Sequence, residues 1–388
     1  MILHCCAAVG IENIPLPPYI NSFPMFHVKH QAFACQPIYN RPMETLTSYL
    51  PIKCYSRDEL ASLVEHYGQP SYRASQIIQW LYQRGASSYD QMTDLPKSLR
   101  QQLDSNHPLY TPTVIDKQIS RDGTRKYLLQ LNDGCLVETV GIPSSDGRLT
   151  VCFSTQVGCA MGCVFCATGH EGFTRNLVVG EIIDQILIVQ HDFDKRVTNL
   201  VGMGQGEPFL NYNSVVNALQ IINSKKGLGI GARKITLSSC GIISGIRRFS
   251  EVKEQYTLAI SLHAARQEVR DRIMPKVASQ PLRELKPTLI DYIEQTNRRV
   301  TFEYTMIRGL NDSNADLNAL ITFASGLLCH MNLIQLNTIE GSPYQPSEQS
   351  TVDHWKQSIE RSGIETTIRA SKGSDISGAC GQLKNLRR

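Results

Sequence analysis

Hydrophobic and polar positions change rhythm three times along the chain. Through residues 1–42 no apolar period is sustained, and Pro15, Pro17, Pro18, Pro24, Pro37 and Pro42 interrupt any helix. This stretch reads as a loose extension, and Met43 opens a more regular sequence. From Ser56, an N-cap residue, the pattern turns helical: Arg57-Asp58-Glu59-Leu60 leads into Leu63-Val64. A second helix is predicted over Tyr72–Gln83, with Ile77, Ile78, Trp80 and Leu81 apolar, and a third over about Leu95–Leu103. Then alternation takes over. Thr113–Ile119, Arg125–Leu131 and Cys135–Ile142 read as strands, with Asp122-Gly123 and Asp133-Gly134 as turns. This helical-plus-hairpin unit ends near Gly147.

From Arg148 onward, strand and helix patterns alternate. Strands are predicted at Leu149–Ser154, Asn199–Gly202, Lys234–Ser238, Thr257–Leu262, Val300–Met306, Asn332–Asn337 and Glu365–Arg369. Helical segments such as Gly180–Gln190, Val215–Asn223, Leu282–Gln295, Leu317–Leu327 and Val352–Arg361 lie between them. Such alternation implies a parallel sheet with right-handed crossovers. The expected fold is α/β, a partial or full (β/α) barrel preceded by a small helical-plus-hairpin domain. The expected division is 1–42 as the extension, 43–147 as the accessory domain and 148–388 as the barrel with its tail. Chemistry in such barrels sits on loops at the C-terminal ends of the strands.

Composition narrows the function classes. The chain has 388 residues, 41% hydrophobic and 19% charged, as expected of a folded soluble protein. A formal charge of +4 excludes a protein held to nucleic acid by bulk charge, but leaves room for RNA in a local groove. No run of about 18 apolar residues suggests a membrane span. Twelve cysteines with no signal-peptide pattern suggest reduced thiols and a cytoplasmic location. The close group Cys159, Cys163 and Cys166 then asks for a metal.

The string Cys159-Ala-Met-Gly-Cys163-Val-Phe-Cys166 follows the first barrel strand. Three thiolates at this spacing can hold three corners of an iron–sulfur cluster, leaving one iron open to a small molecule. A structural zinc site with a distant fourth ligand, or simple buried thiols, is the competing reading. The spacing is the signature of radical S-adenosylmethionine enzymes. Other strand ends carry polar groups: Gly202-Met203-Gly204-Gln205-Gly206-Glu207-Pro208, Ser238, Ser261-Leu262-His263 and Asn337. Glycines there allow close backbone approach, and Glu207 can accept from an ammonium group.

From about Ser56 to Leu383 the sequence resembles the radical S-adenosylmethionine RNA methyltransferases of the RlmN type. The resemblance rests on Tyr72-Arg73-Ala74-Ser75-Gln76-Ile77, Val137-Glu138-Thr139-Val140, Cys152 seven residues before Cys159, and Gly172-Phe173-Thr174-Arg175-Asn176-Leu177. It rests also on Gly206-Glu207-Pro208, Ser261-Leu262-His263-Ala264 and the terminal Ala379-Cys380-Gly381-Gln382-Leu383. One departure is a Gly-Gln pair, Gly204-Gln205, within the family's usual GMGEP string.

The resemblance implies a radical-SAM type of partial barrel that methylates C2 of adenine in 23S rRNA (adenosine 2503) and tRNA (adenosine 37). It implies a [4Fe–4S] cluster on Cys159, Cys163 and Cys166, and S-adenosylmethionine contacts at Gly206, Glu207, Ser238, Ser261, Leu262, His263 and Asn337. Two S-adenosylmethionine molecules would be used per turnover, with an electron donor such as flavodoxin or ferredoxin. Cys380 would become S-methylated, and its carbon would add to C2. Glu138 would take the C2 proton, and Cys152 would release the product through a transient disulfide. Alternatives are a relative that methylates adenine C8, a radical enzyme acting on a peptide or small molecule, and a non-catalytic metal module. Pro208 and the Tyr72–Ile77 string favour the C2 branch. The basic residues of the accessory unit (Lys126 among them) and of the tail (Arg369 among them) read mainly as solvated charge bordering an RNA groove.

Overall fold

The computed structural model describes residues 51–385, so the reading of residues 1–42 falls outside it. The accessory unit begins with α1 (Arg57–His66), α2 (Tyr72–Tyr82) and α3 (Lys97–Asn106). Ser56 caps α1 as expected: its hydroxyl accepts from Glu59 N, and Glu59 returns the contact to Ser56 N at 2.7 Å. Leu60, Val64, Ile77, Leu81, Leu99 and Leu103 all face the core. A meander follows, β1 (Thr113–Ile119), β2 (Arg125–Gln130) and β3 (Leu136–Pro143). Its two turns use Gly123 and Gly134, each at φ +83°, where a side chain would be strained.

The next elements are β4 (Leu149–Cys152), β5 (Gln156–Gly158), α4 (Ala167–Glu171), β6 (Phe173–Asn176), α5 (Val179–Asp192) and β7 (Asn199–Gly202). Then come α6 (Tyr212–Asn223), β8 (Ile235–Ser239), α7 (Ile243–Ser250), β9 (Thr257–Ser261), α8 (Gln267–Ile273) and α9 (Leu282–Thr296). The chain closes with β10 (Val300–Met306), α10 (Asn314–Ala324), β11 (Cys329–Gln335), α11 (Gln349–Arg361) and β12 (Thr366–Arg369).

Ten strands form one sheet in the order β1-β2-β3-β4-β7-β8-β9-β10-β11-β12. From β4 to β12 every pairing is parallel. Leu200, Leu237, Leu258, Ile260, Phe302, Tyr304 and Leu333 are fully buried along it, because helices cover its outer face. Among the described residues β12 pairs only with β11, so the sheet is open, a partial barrel.

Two features lie beyond the sequence reading. The meander is continuous with the barrel, because β3 pairs antiparallel with β4, Val140 opposite Cys152. The first barrel strand ends at Cys152, two residues early, and a short ribbon of β5 and β6 frames the cysteine loop. Lys53 also reaches across to α5, where its Nζ meets Asp184 Oδ1 at 2.7 Å with both side chains buried. Burial pushes the Asp184 carboxyl up to about 6, against the pull of Lys53.

Candidate active site

The C-terminal ends of the parallel strands surround a cavity of about 150 Å³. Cys159, Cys163 and Cys166 line it together, on the loop between β5 and α4. Gly162 turns this loop at φ +62°, and Cys166 N donates to Cys163 O at 3.1 Å. Gly169 lies against it so closely that a Cβ there would stand 2.9 Å from Cys163 N. Burial raises all three thiols, and coordination to a cation would reverse that by removing their protons. Among the described residues no three His, Cys, Asp or Glu side chains converge on a single-ion position. A cubane takes one thiolate per iron, so its ligands need a shared cavity without a shared centre. The three thiols fit that requirement better than a mononuclear zinc site.

Most residues expected to meet the cofactor face the same cavity. Gly206 sits at φ +100°, and a Cβ there would come within 2.5 Å of the Gln156 side chain, so only glycine fits. Glu207 is buried and already accepts from Phe209 N at 3.0 Å and Cys240 N at 2.7 Å. A carboxylate has acceptor capacity beyond two donors, so it can still meet an ammonium group. Ser238 and Ser261 touch through their hydroxyls at 3.1 Å. His263 Nδ1 accepts from Thr305 N at 3.0 Å, and burial lowers the ring pKa to about 3. The ring is therefore neutral, with its proton on Nε2. Leu262 is fully buried and does not line the cavity, unlike its two neighbours.

The tail closes this cavity. Cys380 lines it, and also lines an adjoining cavity of about 210 Å³ that contains Cys152. Asn337 Nδ2 donates to Cys380 O at 3.1 Å. Ala167 N, just after the third cysteine of the loop, donates to Gly381 O at 2.7 Å. The hairpin turn anchors the preceding segment: Asp375 accepts from Ser120 Oγ at 2.6 Å and from Arg121 N at 3.2 Å. Burial, reinforced by Cys380, pushes the Cys152 thiol up to about 12.

Glu138 stands beside the tail, on β3. Its carboxylate meets Lys126 Nζ at 2.9 Å and accepts from Lys384 N at 2.7 Å. Burial raises its pKa, and Lys126 opposes that shift. Glu138 does not line the cavity of the three cysteines.

Two expectations for basic residues change. Lys126 is buried against Glu138, and Arg369 lines both cavities, 3.5 Å from Glu303. Neither belongs to a purely solvated face. Arg369 ends the last strand, so the rule that placed Ser238 and Ser261 also applied to it. Glu303, Thr305, Met203 and Cys240 also line the cavity. Glu303 and Thr305 lie on β10, whose mixed sequence marks neither, whereas Met203 and Cys240 fall one residue beyond the ends of β7 and β8.

Comparisons with known proteins give the chain a family. Residues 52–108 match the ribosomal RNA large subunit methyltransferase N-terminal domain, and residues 153–321 match the radical SAM superfamily. A probable dual-specificity RNA methyltransferase RlmN from Gloeobacter violaceus is 46% identical over 334 residues, spanning 86% of this chain and 95% of the relative. Its namesake from Clostridium novyi is 42% identical over 331 residues, spanning 85% and 96%. The crystal structure of a radical SAM methyltransferase from Sphaerobacter thermophilus superposes with a TM-score of 0.81 at 40% identity, covering 87% of this chain and all of that one. The family brings S-adenosylmethionine and a [4Fe–4S] cluster as its cofactors. On this identity and coverage, the chain belongs to the RlmN family of radical SAM RNA methyltransferases.

Proposed function

We propose that this enzyme methylates C2 of adenine in 23S rRNA, at adenosine 2503, and in tRNA, at adenosine 37, with Cys380 carrying the new carbon. The observation that carries the reading is the position of Cys380, which faces the three-cysteine cavity on one side and the Cys152 cavity on the other. Cys159, Cys163 and Cys166 would hold the cluster, and Gly206, Glu207, Ser238, Ser261, His263 and Asn337 would receive S-adenosylmethionine, with Leu262 buried between two of them. Together these groups, when bound, supply a one-electron cleavage that yields a carbon radical able to remove a hydrogen atom.

The chain's own residues do the rest. Adenine C2 lies between two ring nitrogens and is electron-poor, so a carbon radical suits it better than polar methyl transfer. Cys380 first takes a methyl group on sulfur, then loses one hydrogen atom from it; the resulting carbon bonds to C2, and the adduct's unpaired electron passes back to the electron carrier as the C2 proton leaves. Glu138 accepts the C2 proton as general base. Cys152 attacks the Cys380 sulfur, so an S–S bond forms as the S–C bond breaks; the released carbon keeps the electron pair and takes a proton to complete the methyl group, and thiol reduction resets the pair. Two S-adenosylmethionine molecules serve each turnover, one for the methyl group and one for the radical. Residues 43–147 act as the RNA-contacting accessory domain, residues 148–388 as barrel and tail, and the base is extruded into the barrel mouth.

A flavodoxin or ferredoxin provides the electron. The transient disulfide suits the reducing cytoplasm, and no disulfide joins Cys152 to Cys380 in the structure. No helix among the described residues is long and apolar enough to cross a membrane. The test is methylation of defined rRNA and tRNA fragments, with mass spectrometry locating the carbon. A methyl on C2 supports the reading, and one on C8 or on no RNA overturns it.

A further inference from the structure

Gln205 stands in the glycine string after β7 and is 1% exposed. Its backbone and both ends of its side-chain amide are engaged. Its N donates to Ser154 Oγ at 2.9 Å, and its carbonyl accepts from Thr155 N at 2.8 Å and Gln156 N at 3.2 Å. Its Oε1 accepts from Glu138 N at 3.0 Å, and its Nε2 donates to Asn385 Oδ1 at 2.9 Å. A backbone N–H can only donate, so the amide oxygen must face Glu138 and the nitrogen must face the tail. One residue thus joins the cofactor-facing loop, the strand of Glu138 and the tail of Cys380. A methionine at this position could fill similar space, but its thioether would satisfy neither partner well.

Three further bonds hold the same stretch of tail. Thr168 Oγ1 donates to Leu383 O at 2.8 Å, Lys384 N to Glu138 Oε2 at 2.7 Å and Asn385 N to Glu171 Oε1 at 3.0 Å. All fall just beyond Cys380, so a small slip there would move the sulfur. We propose that Gln205 is a positioning residue: its amide latches the tail in register with β3, which fixes Cys380 relative to the Glu138 carboxylate. The consequence for turnover rests on the roles assigned above to Cys380 and Glu138, whereas the latch itself does not.

The test uses full-length, cluster-loaded protein and three variants: Gln205→Met, Asn385→Ala and the double. Amide hydrogen exchange is followed over residues 380–385, with β8 and β9 as the internal control. Each single variant is expected to speed tail exchange about tenfold. The double should go no further than either single, because both remove the same contact. Control exchange should stay unchanged. The steady-state counterpart is a kcat for RNA methylation about tenfold lower in Gln205→Met, with KM for RNA unchanged. Wild-type tail exchange in the single variants, multiplying effects in the double, or a parallel rise in β8 and β9 would overturn the proposal. So would an unchanged kcat. Asn385→Ala alters only a half-buried tail residue, so it decides the matter if Gln205→Met does not fold. Exchange needs neither RNA nor turnover. Failure of the functional reading would appear separately, as wild-type protein that methylates no RNA.

Discussion

Two sets of cysteines line adjoining cavities, with Cys380 common to both, and they were brought there differently. Cys159, Cys163 and Cys166 lie within one loop, so local backbone alone sets their placement. Cys152 and Cys380 come from the first barrel strand and the last segment of the tail, and only the completed sheet unites them. In the proposed roles the loop would hold a cluster by its spacing. The pair would act in sequence because a tail docks, through contacts with Asn337, Ala167, Thr168 and the β1–β2 turn. A local motif is sensitive to changes in its own residues, whereas an assembled pair is also sensitive to changes far away in sequence.

The sharpest break falls on the loop. Cys163→Ala should lose its bound iron, its brown absorbance and all RNA methylation, since two thiolates cannot hold the cluster's three fixed corners. Iron and sulfide assays check this, and retained stoichiometric iron would contradict it. Changes in the pair should separate two steps. Cys380→Ala should form neither methylated RNA nor a protein–RNA adduct. Cys152→Ala should accumulate a covalent adduct that persists on a denaturing gel, because nothing attacks the Cys380 sulfur. Rapid multiple turnover by Cys152→Ala would refute its role.

A smaller effect is expected at Glu138, which must be ionised to accept a proton. Burial raises its pKa and Lys126 lowers it, so activity should rise with pH through that pKa. Lys126→Met removes the lowering cause. Its acid limb should move to higher pH, lowering the rate at a fixed pH on that limb. An unmoved limb would show that Glu138 does not set it. The mildest expected effect is on folding. The Asp184 carboxyl is raised from 3.8 to about 6, so its protonation favours the folded state. That contribution is complete below about 4 and is lost as pH rises through about 6. Urea unfolding should show wild-type stability falling relative to Asp184→Asn across that interval. A constant difference would contradict the assignment.

Much of this was legible before any coordinates. The β–α alternation, the Ser56 cap, the glycine turns and the three-cysteine loop are all encoded within a few neighbouring residues. What was not legible depends on pairing between distant segments. Nothing near Gly147 signals that β3 continues the barrel sheet, since a strand's partner is not written in its own sequence. β5 and β6 are too short to show a period. Lys126 looked like one more surface charge, because β2 is buried on both faces and alternation cannot mark which side is wet. Arg369 reads as one of the tail's charges, although its strand-end position puts it at the cavity. Gln205 stood out only as a departure from a family string, and its partners lie on β3 and the tail.

The most direct test of the central claim follows one carbon. Protein whose Cys380 carries a fully deuterated methyl group is allowed a single turnover with unlabelled S-adenosylmethionine and RNA. The account predicts a new methyl on adenine C2 that holds two deuterons and comes from the protein. An unlabelled methyl in the RNA, with the label still on the Cys380 peptide, would contradict it.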